Sequence, residues 1–204
     1  MIDRSRGPSG TWRRRRAAPG RWTALDPSGP PSGTPQGPGR RQARGLVGRT
    51  FPDLRLLDYA GEPVALPTEV NADIVIYLYP GVQCSPDGGL GSAGADVQQH
   101  LSFDRHRADL DARRTRVVGV SSEAPKEQFA RMRDHRVCHP LWSDPACELA
   151  HALELPTFTQ AGRELYRRGT LVVRRSRIEI AIYPVYRPEQ SATQALWAIK
   201  AKGL

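Results

Sequence analysis

Apolar residues in this chain gather into short runs from Leu46 onward and are sparse before it. Leu54, Leu56 and Leu57, then residues 64–66 across the turn signal Ala60-Gly61-Glu62, predict a short hairpin. Residues 74–79 (IVIYLY) form an unbroken β-branched and aromatic run, the pattern of a strand covered on both faces, and Pro80-Gly81 stops it. A helix is expected over 93–114, with Val97, Leu101 and Leu110 among its inward positions and a mainly charged outer face. Residues 116–121 (RVVGVS) read as a second buried strand. Pro125 at a first helical position opens a helix over 125–136, with Phe129 and Met132 three apart. A short extended piece at 140–142 leads into Ser143-Asp144-Pro145, a cap and start for a helix ending at Leu153. Strands over 170–173 and 178–183 flank a basic turn, and a helix over 192–200 closes the chain with Leu196 and Trp197 inward.

Two strand–helix–strand crossovers, then an antiparallel hairpin and a final helix, describe an α/β fold with a mixed central β-sheet flanked by helices on both faces. That is the element order of the thioredoxin-like fold. Element order sets the architecture and leaves the function to the site.

Charge changes the picture only at the N-terminus. The chain carries a formal net charge of +9, yet residues 1–45 hold ten Arg and two Asp, which leaves 20 basic and 19 acidic residues in 46–204. The same 45 residues contain eight Gly and seven Pro and no apolar period. Such a segment cannot bury enough surface to offset its ordering entropy, so 1–45 is expected to be a disordered Arg/Pro/Gly-rich tail preceding a domain at 46–204. The Arg run at 13–16 could hold nucleic acid or an anionic membrane surface through phosphate contacts. The simpler alternative is a solvated tail, or a true start near Leu46 or Val47. No apolar run of signal-peptide length follows the arginines, and no stretch approaches the ~20 apolar residues of a membrane span, so the expectation is a cytoplasmic protein without membrane attachment.

Three cysteines, Cys84, Cys138 and Cys147, are too few for a secreted disulfide framework and form no CxxC pair. Cys138-His139 with Cys147 and His151 suits a tetrahedral zinc site badly, so no metal or other cofactor is expected. His135, His139 and His151 read as surface or core histidines. Attention falls instead on the end of the 74–79 strand, because reactive groups in an open α/β sheet gather beyond the carboxyl ends of its strands. There the sequence reads Pro80-Gly81-Val82-Gln83-Cys84-Ser85-Pro86-Asp87. Ser-Pro-Asp is a helix-start signature, which sets Cys84 just ahead of a helix where free N–H groups favour a thiolate. The alternative is an inert buried cysteine, and the glycines at 88, 89, 91 and 94 blur the helix start.

Several segments resemble the peroxiredoxin (AhpC/TSA, redoxin) family over nearly all of 46–204. Val47-Gly48-Arg49-Thr50-Phe51-Pro52-Asp53-Leu54 is similar to its opening, and Gly61-Glu62-Pro63-Val64-Ala65-Leu66 to the hairpin that follows. Ile76-Tyr77-Leu78-Tyr79-Pro80 resembles the strand into the peroxidatic loop, and Val118-Gly119-Val120-Ser121 and Leu141-Trp142-Ser143-Asp144-Pro145 its second strand and aspartate-proline turn. Arg168-Gly169-Thr170-Leu171-Val172-Val173 resembles the strand whose leading arginine reaches the active cysteine.

The loop departs from the family pattern of Pro, three residues, Thr or Ser, two residues, Cys. Counted without gaps from Pro80, Cys84 falls on the hydroxyl position and Asp87 on the cysteine position. A loop shortened by three residues aligns Cys84 with the family's cysteine instead. Under that alignment the resemblance implies a thiol-dependent peroxidase: Arg168 stabilises the Cys84 thiolate, Pro80 shields the sulfur, Gln83 or Ser85 orients the peroxide, and attack yields a sulfenic acid. The reductant would be thioredoxin or a small thiol. Cys147 and Cys138 remain as resolving cysteines, against a one-cysteine cycle, and a homodimer is an allowed assembly. Two other readings stand beside this one: a thiol–disulfide oxidoreductase, and a redox-inactive peroxiredoxin-like domain whose basic tail binds nucleic acid.

Overall fold

The computed structural model describes residues 39–65, 73–81 and 92–204. Within them the elements run α1 (Gly39–Leu46), β1 (Arg55–Leu57), β2 (Pro63–Ala65), β3 (Asp73–Leu78), α2 (Ser92–Arg105), α3 (Arg107–Asp111), β4 (Thr115–Ser121), α4 (Pro125–His135), β5 (Leu141–Ser143), α5 (Glu148–Leu153), β6 (Thr157–Gln160), β7 (Arg163–Tyr166), β8 (Gly169–Arg174), β9 (Arg177–Ile182) and α6 (Ser191–Ala201). Seven strands form one sheet in the order β2-β1-β5-β4-β3-β8-β9. β3, β4 and β5 are parallel, and β8 and β9 continue the sheet antiparallel. This is the mixed, helix-flanked sheet of the thioredoxin-like class, as the element order predicts.

β3 is the spine. Every one of its residues is buried, and its alternation splits the core in two. Ile74, Ile76 and Leu78 join Val118, Val120, Leu171, Leu149 and Leu153 on one face. Val75, Tyr77 and Tyr79 join Phe103, Leu110, Val172, Ala192, Ala195 and Ile199 on the other. Gly119 lies opposite Tyr77 in the β3–β4 register, and a Cβ there would lie 2.5 Å from the Tyr77 hydroxyl oxygen. The missing side chain is what seats that tyrosine.

Several expectations are corrected. Helix α1 occupies residues assigned to the tail by composition, and Ala43 and Leu46 are buried, so the fold reaches back before residue 45. The helix expected over 93–114 is two, because the chain breaks at His106. Its inward face is not Val97 and Leu101, which are half-buried, but Asp96, Gln99, His100 and Phe103. Phe129 and Trp197 are about half exposed, and Phe129 stacks on Tyr59 at 5.7 Å. α6 approaches the sheet through the smaller Ala192 and Ala195, together with Ile199. The cap of α5 is Asp144, whose carboxylate accepts from the Glu148 and Leu149 N–H groups at 2.9 Å each. Sequence reasoning missed the β6–β7 hairpin. Its strands are largely polar and mostly half to fully exposed, and its turn uses positive φ at Ala161 and Gly162 in place of a stronger Asn-Gly signal.

Candidate active site

Beyond Leu78 the chain stays pinned to the sheet: the Tyr79 N–H donates to the Val120 carbonyl at 3.1 Å. Pro80 and Gly81 are buried. Gly81 has φ +72°, and a Cβ there would overlap the Glu123 side chain, so this turn requires glycine. Glu123 is fully buried just past the end of β4 and accepts two hydrogen bonds from Arg131 of α4, one of them from Nε to Oε2 at 3.0 Å. Its backbone carbonyl accepts from the Ser143 hydroxyl. The Arg131 guanidinium lies 5.9 Å from the Tyr79 ring centroid. One guanidinium is thus fixed beside the exit of β3.

Arg168 supplies a second. It immediately precedes β8, whose Gly169 pairs with Leu78, so the antiparallel register sets it next to Tyr79. Its Nη1 lies 2.6 Å from Asp96 Oδ1 and donates to Gln99 Oε1 at 3.0 Å. Asp96 is completely buried. Burial pushes its carboxyl up to about 6, against the opposing pull of Arg168 and Arg131.

A hydrogen-bonded chain lies behind this pair. The Tyr77 hydroxyl is 2.7 Å from His100 Nδ1 and 2.6 Å from His139 Nε2. His139 Nδ1 is 2.8 Å from Asp104 Oδ1. His100 is edge-on to the Tyr79 ring at 4.7 Å, and burial holds its basicity well below the ordinary imidazole value. Burial likewise raises Tyr77 and Tyr79 well above the usual phenol range, so both remain neutral.

Of the residues singled out by sequence, Pro80 and Arg168 come together at the exit of β3. Cys84, Gln83 and Ser85 lie outside the described residues. Cys138 is exposed after α4, with its backbone N–H donating to Asp104. Cys147 is buried in the core, its Sγ 3.6 Å from the Glu164 carbonyl, and burial first, with the nearby Asp144 and Glu164 carboxylates, pushes its thiol up to about 11. His139 is no bystander, since it joins Asp104 to Tyr77. Sequence reasoning missed Asp96, Gln99, His100, Asp104, Glu123 and Arg131. The signal for three of them was present: Asp96, His100 and Asp104 recur every four residues along one helix face.

A thioredoxin-like sheet with a largely buried arginine at the carboxyl end of its central strand defines the class. Within it the chain belongs to the AhpC/TSA family, whose family model matches residues 47–179. Among solved structures it is similar to the peroxidoxin BcpB of Mycobacterium tuberculosis, with a TM-score of 0.65, 21% identity, and coverage of 76% of this chain and 97% of that one. It is also similar to a cysteine-to-serine mutant of Xylella fastidiosa PrxQ (TM-score 0.64, 21% identity, 78% and 97% coverage). A third is the bacterioferritin comigratory protein of Xanthomonas campestris, described for its alkyl peroxide reduction activity (TM-score 0.61, 23% identity, 74% and 91% coverage). No curated protein sequence matches the chain. Among the described residues, no helix is long and apolar enough to cross a membrane.

Proposed function

We propose that this chain is a thiol peroxidase that reduces hydrogen peroxide or organic hydroperoxides through a sulfenic acid at Cys84. The observation that carries this reading is the largely buried Arg168 guanidinium beside the end of β3, where Gly81 leads into Cys84 a few residues later. A fixed cation in a water-poor site favours the thiolate over the thiol and stabilises the charge that develops on the leaving oxygen. Arg131, held by Glu123, adds to the same positive field. Pro80 covers this end of the strand, and Gln83 or Ser85 orients the peroxide. The cycle closes with thioredoxin or a small thiol as reductant in the cytoplasm. Cys138, which is exposed, is the better placed of the two remaining cysteines to meet a partner. The test is peroxide consumption coupled to a thiol reductant, comparing wild type with Cys84→Ser. The variant is expected to lose activity completely.

One observation favours a second reading. Arg168 is engaged by a carboxylate, Asp96, where the peroxidase needs it to face a thiolate. A chain whose arginine is satisfied by its own aspartate would be a redox-inactive member of the family. Undetectable peroxidase activity in wild type, with Cys84 alkylated no faster than a free thiol, selects that reading.

A further inference from the structure

The chain Asp104–His139–Tyr77–His100 has a direction that its partners dictate. A carboxylate only accepts, so His139 carries its hydrogen on Nδ1, facing Asp104 Oδ1 at 2.8 Å. His139 Nε2 is then bare and takes the Tyr77 hydrogen across 2.6 Å. Having given that hydrogen away, the Tyr77 oxygen must accept from His100 Nδ1 at 2.7 Å. Neutral His100 therefore carries its only hydrogen on Nδ1. Its Nε2 is a bare lone pair, buried and without a hydrogen-bond partner among the described residues. Protonating His139 reverses every link: His139 Nε2–H donates to Tyr77, Tyr77 donates to His100 Nδ1, and His100 Nε2 becomes the donor.

We propose that these four side chains form a proton relay that serves as the base, and then the acid, of the site at the end of β3. The relay's place supports this. Its inner end, His100, sits one turn along α2 from Asp96 and next in sequence to Gln99, the two residues that hold Arg168. His100 also packs edge-on against Tyr79 at the exit of β3. Its outer end, Asp104, is partly exposed, with 14% of its side chain accessible. The charged and titratable groups around His100 are Tyr77 and Tyr79 from β3, His139 and Arg131 from beyond β4, Arg168 before β8, and His135. The cations disfavour an imidazolium at His100 itself, so a captured proton passes outward to His139, where Asp104 neutralises it.

The relay rests on the peroxidase reading above, in which the reacting thiol gives its proton to His100 Nε2. The Nδ1 hydrogen then moves to Tyr77, and the tyrosine hydrogen moves to His139. The thiolate attacks the hydroxyl oxygen of the hydroperoxide. An S–O bond forms, the O–O bond breaks, and the electron pair leaves on the alkoxide or hydroxide. The reversed relay returns the stored proton to that oxygen, releasing alcohol or water and a sulfenic acid. Sulfur is oxidised by two electrons and the peroxide is reduced by two.

Two measurements test the relay. Nitrogen-15 NMR of histidine-labelled protein near neutral pH should show His100 and His139 both as Nδ1–H tautomers, with both changing together on acidification. Finding His100 as the Nε2–H tautomer at neutral pH overturns the assignment. Stopped-flow oxidation by hydrogen peroxide should then be compared for wild type, Cys84→Ser, Tyr77→Phe and Asp104→Asn. Tyr77→Phe keeps the ring that stacks on Phe103 at 4.5 Å and severs the relay, and Asp104→Asn alters only its partly exposed end. Both should slow oxidation by about 10- to 100-fold near neutral pH, at the lower end of what proton transfer by a positioned group supplies, with the deficit shrinking as pH rises. Rates and pH profiles within about twofold of wild type in both variants, a small fraction of that general acid–base contribution, overturn the relay and leave the peroxidase standing. A wild type no faster than Cys84→Ser overturns the peroxidase, and the relay's catalytic role with it.

Discussion

Arg168 and Asp96 meet at 2.6 Å in the interior, the arginine side chain 12% exposed and the carboxylate not at all. The pair links the start of β8 to α2 and sets the electrostatics of the end of β3. Its energetics are unusual in sign. Burial outweighs the arginine's attraction, so the folded carboxyl titrates at about 6, above its ordinary value near 4. The folded state therefore binds the proton more tightly than the unfolded state. The contribution is fully present below about pH 4 and is lost as pH rises through 6, amounting to about 3 kcal/mol. Asp96→Asn should remove this loss. Thermal unfolding between about pH 4 and 7 is expected to show a falling stability component in wild type that is absent in the variant, with the variant the more stable above about pH 6.

Glu123 and Arg131 should behave in the opposite way. The carboxylate is buried against an arginine of which 7% is exposed. Glu123→Ala strands that cation and should cost about 3–5 kcal/mol in denaturant unfolding. Gly81→Ala, which drives a Cβ into Glu123 at a positive φ, should destabilise by more than about 1 kcal/mol through the same contact.

Asp144 joins two elements through one side chain. It caps α5 and accepts a hydrogen bond from the buried Tyr166 hydroxyl of β7. Asp144→Ala removes the cap and leaves the phenol unsatisfied, with an expected loss of about 2–4 kcal/mol in equilibrium unfolding. Tyr166→Phe removes only the second of these and should cost less.

The architecture was legible because its signals are local. The run 74–79, the RVVGVS strand and Pro125 each announce an element through a few neighbours, and the structure places all three as β3, β4 and α4. The site was legible only at Pro80 and Arg168. Asp96, His100 and Asp104 were passed over because buried charge is rare, so a helix face rich in acids and histidine reads as solvated. What turns that face inward is long-range: its partners Tyr77, His139 and Arg168 come from β3, from the loop before β5 and from the start of β8. Trp197 and Phe129 failed for the converse reason. Size and hydrophobicity suggested burial, but small alanines set the approach of α6.

The cysteines should separate by reactivity. In Cys84→Ser, Cys138 is expected to react with Ellman's reagent in the native protein. Cys147, buried and held as a thiol by a pKa pushed up to about 11, should react only after denaturation. Rapid labelling of Cys147 in the native state would contradict its place in the core.

The central claim concerns one sulfur, and the most direct measurement is its oxidation. Wild type treated with one equivalent of hydrogen peroxide in the presence of a sulfenic-acid trap, then digested and analysed by mass spectrometry, should carry the adduct at Cys84, with none in Cys84→Ser. An adduct confined to Cys138 or Cys147, or no adduct in wild type, contradicts the account.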